Sequence, residues 1–300
     1  MLPNKIEPML ADLAREPHSF STWLYELKLD GIRCLAFKND DQKLQGRGKL
    51  LADITSRFPE IKVDTKVDGV VLDGEIVVVD KRGVPVFNHV QRRHSTQNLL
   101  QIKALSTSLP SQYWVFDILY RNYVSIMEFS LEDRKRILAE TVVENENVRI
   151  LPYLVGQGEG LYHKAVMLGF EGIMAKDTRS PYRPGKRSPF WAKMKPCHRG
   201  VFWGCGFTEG KGSRETTFGA IILGEQVDGK MRYLGNVGSG LDQQSLQDWQ
   251  GKAVKTECPF GKEPNVGDQV LYWFKPMPIE VVYFERTEAG SLRFPRIGKG

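Results

Sequence analysis

The chain has 300 residues, with 42 Lys+Arg against 36 Asp+Glu for a net charge of +6, and 41% hydrophobic content. That composition is globular and excludes a disordered or fibrous chain. No apolar run approaches the roughly 20 residues a membrane helix needs, and the opening MLPNKIEPMLADLAREPH carries charges where a signal peptide places its apolar region. A cytoplasmic protein without a membrane partner is therefore expected. Cys34, Cys197, Cys205 and Cys258 lie far apart, without zinc or disulfide spacing.

In chain order, residues 23–29, 33–38, 70–79 and 114–119 read as strands because β-branched and aromatic residues dominate them. Ser130-Leu131-Glu132-Asp133 opens a helix with a capping-box-like signal, and a second helix over 161–168 stops at Gly169. The texture breaks near Lys195-Pro196-Cys197. Beyond it come short β-like runs, 201–207, 220–223, 231–237 and 270–274, and one helix over 241–252. The expectation is an α+β fold: a domain built on antiparallel sheets over residues 1–196, then a small β-barrel of OB-fold type over 197–300.

Four segments carry chemistry. In Tyr25-Glu26-Leu27-Lys28-Leu29-Asp30-Gly31-Ile32-Arg33, a strand running to Gly31 would put Glu26, Lys28 and Asp30 on one face, with a tight turn at Gly31 bringing Arg33 back. That makes Lys28 a candidate nucleophile. Flanking carboxylates favour its charged form, so attack on phosphorus needs desolvation or added positive charge from a metal-bound nucleotide. The pair Asp73 and Glu75 interrupts an apolar strand, which is costly unless a cation, hydroxyl or metal meets it. Glu171 and Lys176 bracket another short apolar strand, and Lys193 and Lys195 share a face with Trp191, two ammonium groups that want an anion between them. The block 176–199 holds eight Lys or Arg against the single acid Asp177, with Tyr182, Phe190 and Trp191 interleaved. Arg179, Arg183, Lys186 and Arg187 within it are candidates for a nucleic-acid backbone. No Walker loop or dinucleotide fingerprint is present, so phosphoryl transfer through a covalent lysine is the favoured chemistry. Each segment also has a plain structural reading as a solvated charged face, and a catalytically silent nucleic-acid-binding module is the rival from another class.

Taken in order, these segments resemble the motifs of the lysine-nucleotidyl transferases, and most of all those of ATP-dependent DNA ligases. Lys28-Leu29-Asp30-Gly31 is similar to KxDG, Asp73-Gly74-Glu75 to DGE, Glu171-Gly172-Ile173-Met174-Ala175-Lys176 to EGxMxK, and Trp191-Ala192-Lys193-Met194-Lys195 to WxKxK. The resemblance is to minimal two-domain bacterial ligases and the ligase domain of ligase D. The Pro8-Met9-Leu10-Ala11 opening and Leu292-Arg293-Phe294-Pro295-Arg296 ending favour DNA over the RNA ligases and capping enzymes that share the lysine motif.

The resemblance implies that Lys28 takes AMP from ATP, passes it to a DNA 5′-phosphate, and that a 3′-hydroxyl then displaces it to seal a nick. It also implies Glu26 at the adenine, Arg33 and Glu75 at the ribose, Phe116 stacked on the base, and Lys176, Lys193 and Lys195 among the nucleotide-binding residues. Asp30, Glu75 and Glu171 would hold Mg²⁺, with Mn²⁺ an alternative, and the partner would be nicked duplex DNA bound by a monomer. Two segments depart from the family. Gln45-Gly46-Arg47-Gly48-Lys49-Leu50-Leu51 stands where a Ser-Arg-Asn-Gly-like run is usual, leaving Arg47 as the nucleotide-binding candidate, and the sequence closes on Ile297-Gly298-Lys299-Gly300 before an Arg-x-Asp-Lys tail. With 27 residues before Lys28, no extra N-terminal DNA-binding domain is expected.

Overall fold

The computed structural model describes residues 1–14, 17–48, 51–265, 271–287 and 290–298. Arg15, Glu16, Lys49, Leu50, Val270, Lys299 and Gly300 of the segments discussed above lie outside them. The chain divides into two compact units, Met1–Lys195 and Pro196–Gly300.

The first unit is built on two sheets. Sheet I contains β1 (Leu10–Leu13), β2 (Trp23–Leu27), β8 (Tyr153–Val155), β9 (Ile173–Asp177) and β10 (Arg187–Met194), in the order β1-β10-β9-β2-β8. Sheet II contains β3 (Ile32–Lys38), β4 (Gln42–Gly46), β5 (Val70–Val77), β6 (Gln112–Arg121) and β7 (Val148–Ile150), in the order β7-β6-β5-β3-β4. Pairing is antiparallel except for β1 with β10 and β7 with β6. Both sheets are covered on two faces, and this explains the near-continuous apolar runs of β3 and β5. On β3, Cys34 and Ala36 enter one core, while Leu35 and Phe37 enter a second core shared with Phe116 and Leu119 of sheet II and Trp191 of sheet I. Arg33 has the parity of Leu35 and Phe37, so it points between the sheets.

Among the described residues four α-helices belong to this unit: α1 (Phe87–Ser95), α2 (Leu99–Ser108), α3 (Leu131–Thr141) and α4 (Gly158–Leu168). The Ser130 hydroxyl accepts from the Asp133 N–H and caps α3, and Gly169 ends α4 in the left-handed conformation, both as the sequence predicts. Sequence reasoning missed α1, α2, β4 and the short edge strands β1 and β8.

In the second unit, β11 (His198–Glu209), β12 (Phe218–Val227), β13 (Lys230–Val237), β14 (Leu271–Tyr283) and β15 (Arg296–Ile297) form an antiparallel sheet ordered β13-β12-β11-β14-β15. The helix α5 (Gln243–Lys252) adds Leu246 and Trp249 to its core. Each strand runs longer than its apolar segment, because ladder hydrogen bonds continue past the last buried side chain.

Candidate active site

β2 ends at Leu27 rather than running to Gly31. Residues 28–31 form the step by which the chain leaves sheet I and enters sheet II, so Lys28 sits at their junction. Its N–H donates to the Gly172 carbonyl at 2.9 Å, which ties it to the head of β9. Glycine is required at both ends of this tie. A Cβ on Gly31 would lie 2.4 Å from the Ile76 carbonyl oxygen, so Gly31, at the bend expected there, also serves close approach to β5. At Gly172, with φ +135°, a Cβ would lie 2.1 Å from the Met194 carbonyl oxygen.

Above Lys28 opens a pocket of about 400 Å³ between the inner faces of the two sheets. Sheet I lines it with Glu26, Met174, Lys176 and Trp191; sheet II with Arg33, Glu75 and Phe116; Leu27, Lys28, Leu29 and Leu151 complete it. The strand pairings account for this set. Glu26 pairs with Met174, and Lys176 with Trp191, so all four face the same way, while Tyr25, Ile173 and Ala175 pack on the opposite face beside Ala165 of α4. The pocket therefore gathers seven of the residues predicted from sequence: Glu26, Lys28, Arg33, Glu75, Phe116, Lys176 and, as a wall, Trp191.

Their charge partners differ from those the motif spacing suggested. Lys28 is paired with Glu171 at 2.5 Å, not held between Glu26 and Asp30. The other Glu171 oxygen takes Lys195. Burial works to raise this carboxyl, but Lys28 and Lys195 together hold it below its ordinary value. Glu26 is buried and bridges two lysines, Lys135 of α3 on Oε1 and Lys176 at 2.6 Å on Oε2. Lys176 stands 4.2 Å from both the Phe116 and Trp191 ring centroids, a cation–π setting. Burial brings its amine down to about 8, with Lys135 acting in the same direction and Glu26 and Asp117 opposing.

Arg33 turns its guanidinium to the buried Asp73, with two contacts of 2.6 Å, and lies 4.5 Å from the Phe116 ring centroid. Tyr182 donates to the second Asp73 oxygen at 2.7 Å and accepts from the Met9 N–H. Burial opposes the charge on Arg33, and Asp73 more than restores it. Glu75, two residues along on the same face, has no such partner. Burial pushes its carboxyl up to about 7 despite Arg33 and Lys28, and Asp73 and Glu171 add to the rise.

The basic side chains beyond the pocket fall into two groups. Lys193 is half-buried, and its amine is lowered first by burial and then by Arg187, Lys195, Lys28 and Arg47. This gathering of cations near Lys28 includes Arg47, exposed after β4. In the other group, Arg179 pairs with Asp177, the block's own acid, while two others meet acids from outside it: Arg183 pairs with Glu128, and Arg187 donates to the Ala11 carbonyl near Asp12. They remain exposed together with Lys186.

Asp30, Glu75 and Glu171 do not converge as a metal cluster. Among the described residues no three His, Cys, Asp or Glu groups do. This suits Mg²⁺, which is usually held by one or two carboxylates and substrate phosphate oxygens, with water filling the remainder. Glu75 and Glu171 provide two hard oxygen donors close enough to raise one another's affinity for positive charge. Sequence reasoning missed Lys135 and the Asp73 to Tyr182 contact. The signal for Lys135 was a lysine in the buried stripe of α3, at Leu131, Arg134, Lys135 and Leu138.

Among the described residues no helix is long and apolar enough to cross a membrane. The family model for the ATP dependent DNA ligase domain matches residues 8–195, and that for the ATP dependent DNA ligase C terminal region matches 214–299. The multifunctional non-homologous end joining protein LigD of Mycolicibacterium smegmatis is 32% identical over 302 residues, covering 98% of this chain and 38% of its own. The SPbeta prophage-derived DNA ligase-like protein LigB of Bacillus subtilis is 34% identical over 194 residues, 63% of this chain and 67% of its own. The chain thus spans well under half the length of LigD. Among solved structures, mycobacterial DNA ligase D complexed with ATP and MES aligns with TM-score 0.54 at 26% identity, covering 97% of this chain and 93% of that one. The ligase domain of M. tuberculosis LigD aligns with TM-score 0.56 at 27% identity, with the same coverages. With matching sequence across both units and an α+β adenylation-type first unit, the chain belongs to the ATP-dependent DNA ligase family.

Proposed function

We propose that the protein seals 5′-phosphate/3′-hydroxyl nicks in duplex DNA, taking AMP from ATP onto Lys28 as the first step. The observation that carries this is the position of Lys28 at the floor of a pocket walled by Phe116, Trp191 and Leu151, with Glu171 on its amine and Lys195, Lys193 and Arg47 nearby.

The base fits the aromatic and apolar wall, with Glu26 and Lys176 at its polar edge, and Arg33, fixed by Asp73, reaches the sugar side. Glu171 orients the Lys28 amine. Once that amine has given up a proton, its lone pair forms the N–P bond to the α-phosphorus while the P–O bond to pyrophosphate breaks. Lys193 and Lys195 neutralise the oxygens that gain charge. Mg²⁺, held by Glu75 and Glu171 together with phosphate oxygens, would supply further charge neutralisation when bound. The DNA 5′-phosphate then accepts AMP from Lys28, and attack by the 3′-hydroxyl releases it. Residues 1–196 would be the adenylation domain and residues 197–300 an OB-fold; the five-stranded antiparallel order supports the latter reading. Nicked duplex DNA would be bound by a monomer through Arg179, Arg183, Lys186 and Arg187.

Intact-mass spectrometry of wild type and Lys28→Ala, after incubation with ATP and Mg²⁺ without DNA, tests the first step. One added AMP on the wild type alone is expected. An equal adduct on Lys28→Ala, or none on wild type pretreated with pyrophosphate, would overturn it. Sealing of a nicked duplex against the same nick in RNA tests the acceptor.

A further inference from the structure

Helix α3 presents two basic side chains where an amphipathic helix presents apolar ones. Arg134 is fully matched: its guanidinium makes two 2.8 Å contacts to Asp117 and donates to the Phe129 and Ser180 carbonyls. Lys135 is different. Its side chain is 1% exposed and donates to Oε1 of Glu26, with the Tyr153 ring centroid 5.1 Å from the ammonium. Glu26, however, already has a partner, since Oε2 is paired with Lys176. One lysine balances one carboxylate, and burying a second ammonium costs several kcal/mol before its contacts are counted. Charge balance therefore does not account for Lys135.

What Lys135 changes is the set of hydrogen-bonding groups offered to the pocket. With it, each Glu26 oxygen faces a buried ammonium: Oε1 accepts a hydrogen bond from Lys135, and Oε2 is ion-paired with Lys176 without a hydrogen bond. Without it, Oε1 becomes an acceptor with no donor, on a residue that lines the pocket. The two purines differ in what they would make of that acceptor. The pairing edge of adenine offers an acceptor ring nitrogen and one amino group. That of guanine offers adjacent ring N–H and amino donors, which a carboxylate can receive as a pair. A carboxylate with an ammonium beside each oxygen receives that pair of donors poorly, because the lysines compete for its lone pairs, whereas the Lys176 amine remains a donor suited to the adenine ring nitrogen and not to the guanine ring N–H. We infer that Lys135 is a specificity-determining positioning residue: by occupying Oε1 of Glu26 it excludes guanine nucleotides from the pocket and leaves an edge that accepts adenine. Specificity by removing what the wrong ligand would bind is a familiar device. The inference rests on the pocket being the ATP site.

The test compares self-adenylylation with self-guanylylation, using ATP or GTP with Mg²⁺ and intact mass as readout, in wild type, Lys135→Met and Lys135→Arg. In Lys135→Met the ratio of kcat/KM for ATP to that for GTP is expected to fall at least 10-fold, through KM more than kcat, and Lys135→Arg is expected to restore it. If Lys135→Met does not fold, Lys135→Gln, which keeps a donor but loses the charge, is expected to lower the same ratio about 3-fold. An unchanged ratio in a folded variant overturns the inference even if both activities drop together, the signature of a purely structural residue. Wild type forming no adduct with ATP would instead defeat the reading of the pocket itself.

Discussion

Glu75→Gln offers the most direct check on the electrostatics of the site, because it separates stability from activity. Burial raises the Glu75 carboxyl to about 7, against about 4.5 for an exposed one, even with Arg33 and Lys28 nearby. A group whose folded value lies above its unfolded value favours the folded state least when it is ionised. The penalty is absent below about pH 4, builds as pH rises between 4.5 and 7, and is constant above, at about 3 kcal/mol. Glutamine has the shape without the titration. Glu75→Gln is therefore expected to be about as stable as wild type at pH 4.5 to 5 and more stable by about 3 kcal/mol at pH 8. For a unit of this size that corresponds to a rise in melting temperature on the order of 6–12 °C. Thermal melts by circular dichroism at pH 5 and pH 8, without nucleotide, measure it. AMP transfer should meanwhile drop sharply, since Glu75 is proposed to meet the ribose and the metal. A variant equally or less stable than wild type at pH 8 would refute the claim that Glu75 is held desolvated without a sufficient cation.

Other substitutions probe the scaffold around it. Asp73→Asn leaves the Arg33 guanidinium buried without its charge partner, so a loss of about 3 kcal/mol in urea unfolding is expected; a loss below about 1 kcal/mol would mean that Arg33 finds water instead. Gly172→Ala forces a Cβ onto the Met194 carbonyl oxygen at a φ that alanine avoids, and a cost of about 3 kcal/mol is expected, with AMP transfer falling more than stability alone explains. Arg179→Gln with Lys186→Gln should weaken nicked-duplex binding and reduce the slope of log K against log salt by about 2, if each contacts a phosphate. An unaltered slope would place the DNA elsewhere.

The candidate nucleophile, the acids and the paired lysines stood out in the sequence because each stands beside residues whose local geometry constrains it: a glycine admitting close approach, or an apolar strand too regular to tolerate a carboxylate without reason. The α+β class was legible for the same cause, since period, turn signals and composition are local properties. Partners were not. That Lys28 meets Glu171 across 143 positions, that Glu26 is held by Lys135 from a distant helix, and that Arg33 faces Asp73 depend on how two sheets stack. Strand register fixes which face a side chain takes, but only the packing of one face against another decides what it meets. The same holds for the basic block, whose local charge count gave one acid and whose folded neighbourhood supplies Glu128 and Asp12. Sequence determined which charged groups the molecule possesses; tertiary structure decided which charges neutralise one another and which, such as Glu75, stay raised towards the neutral form, because burial removes the water that would otherwise satisfy them all.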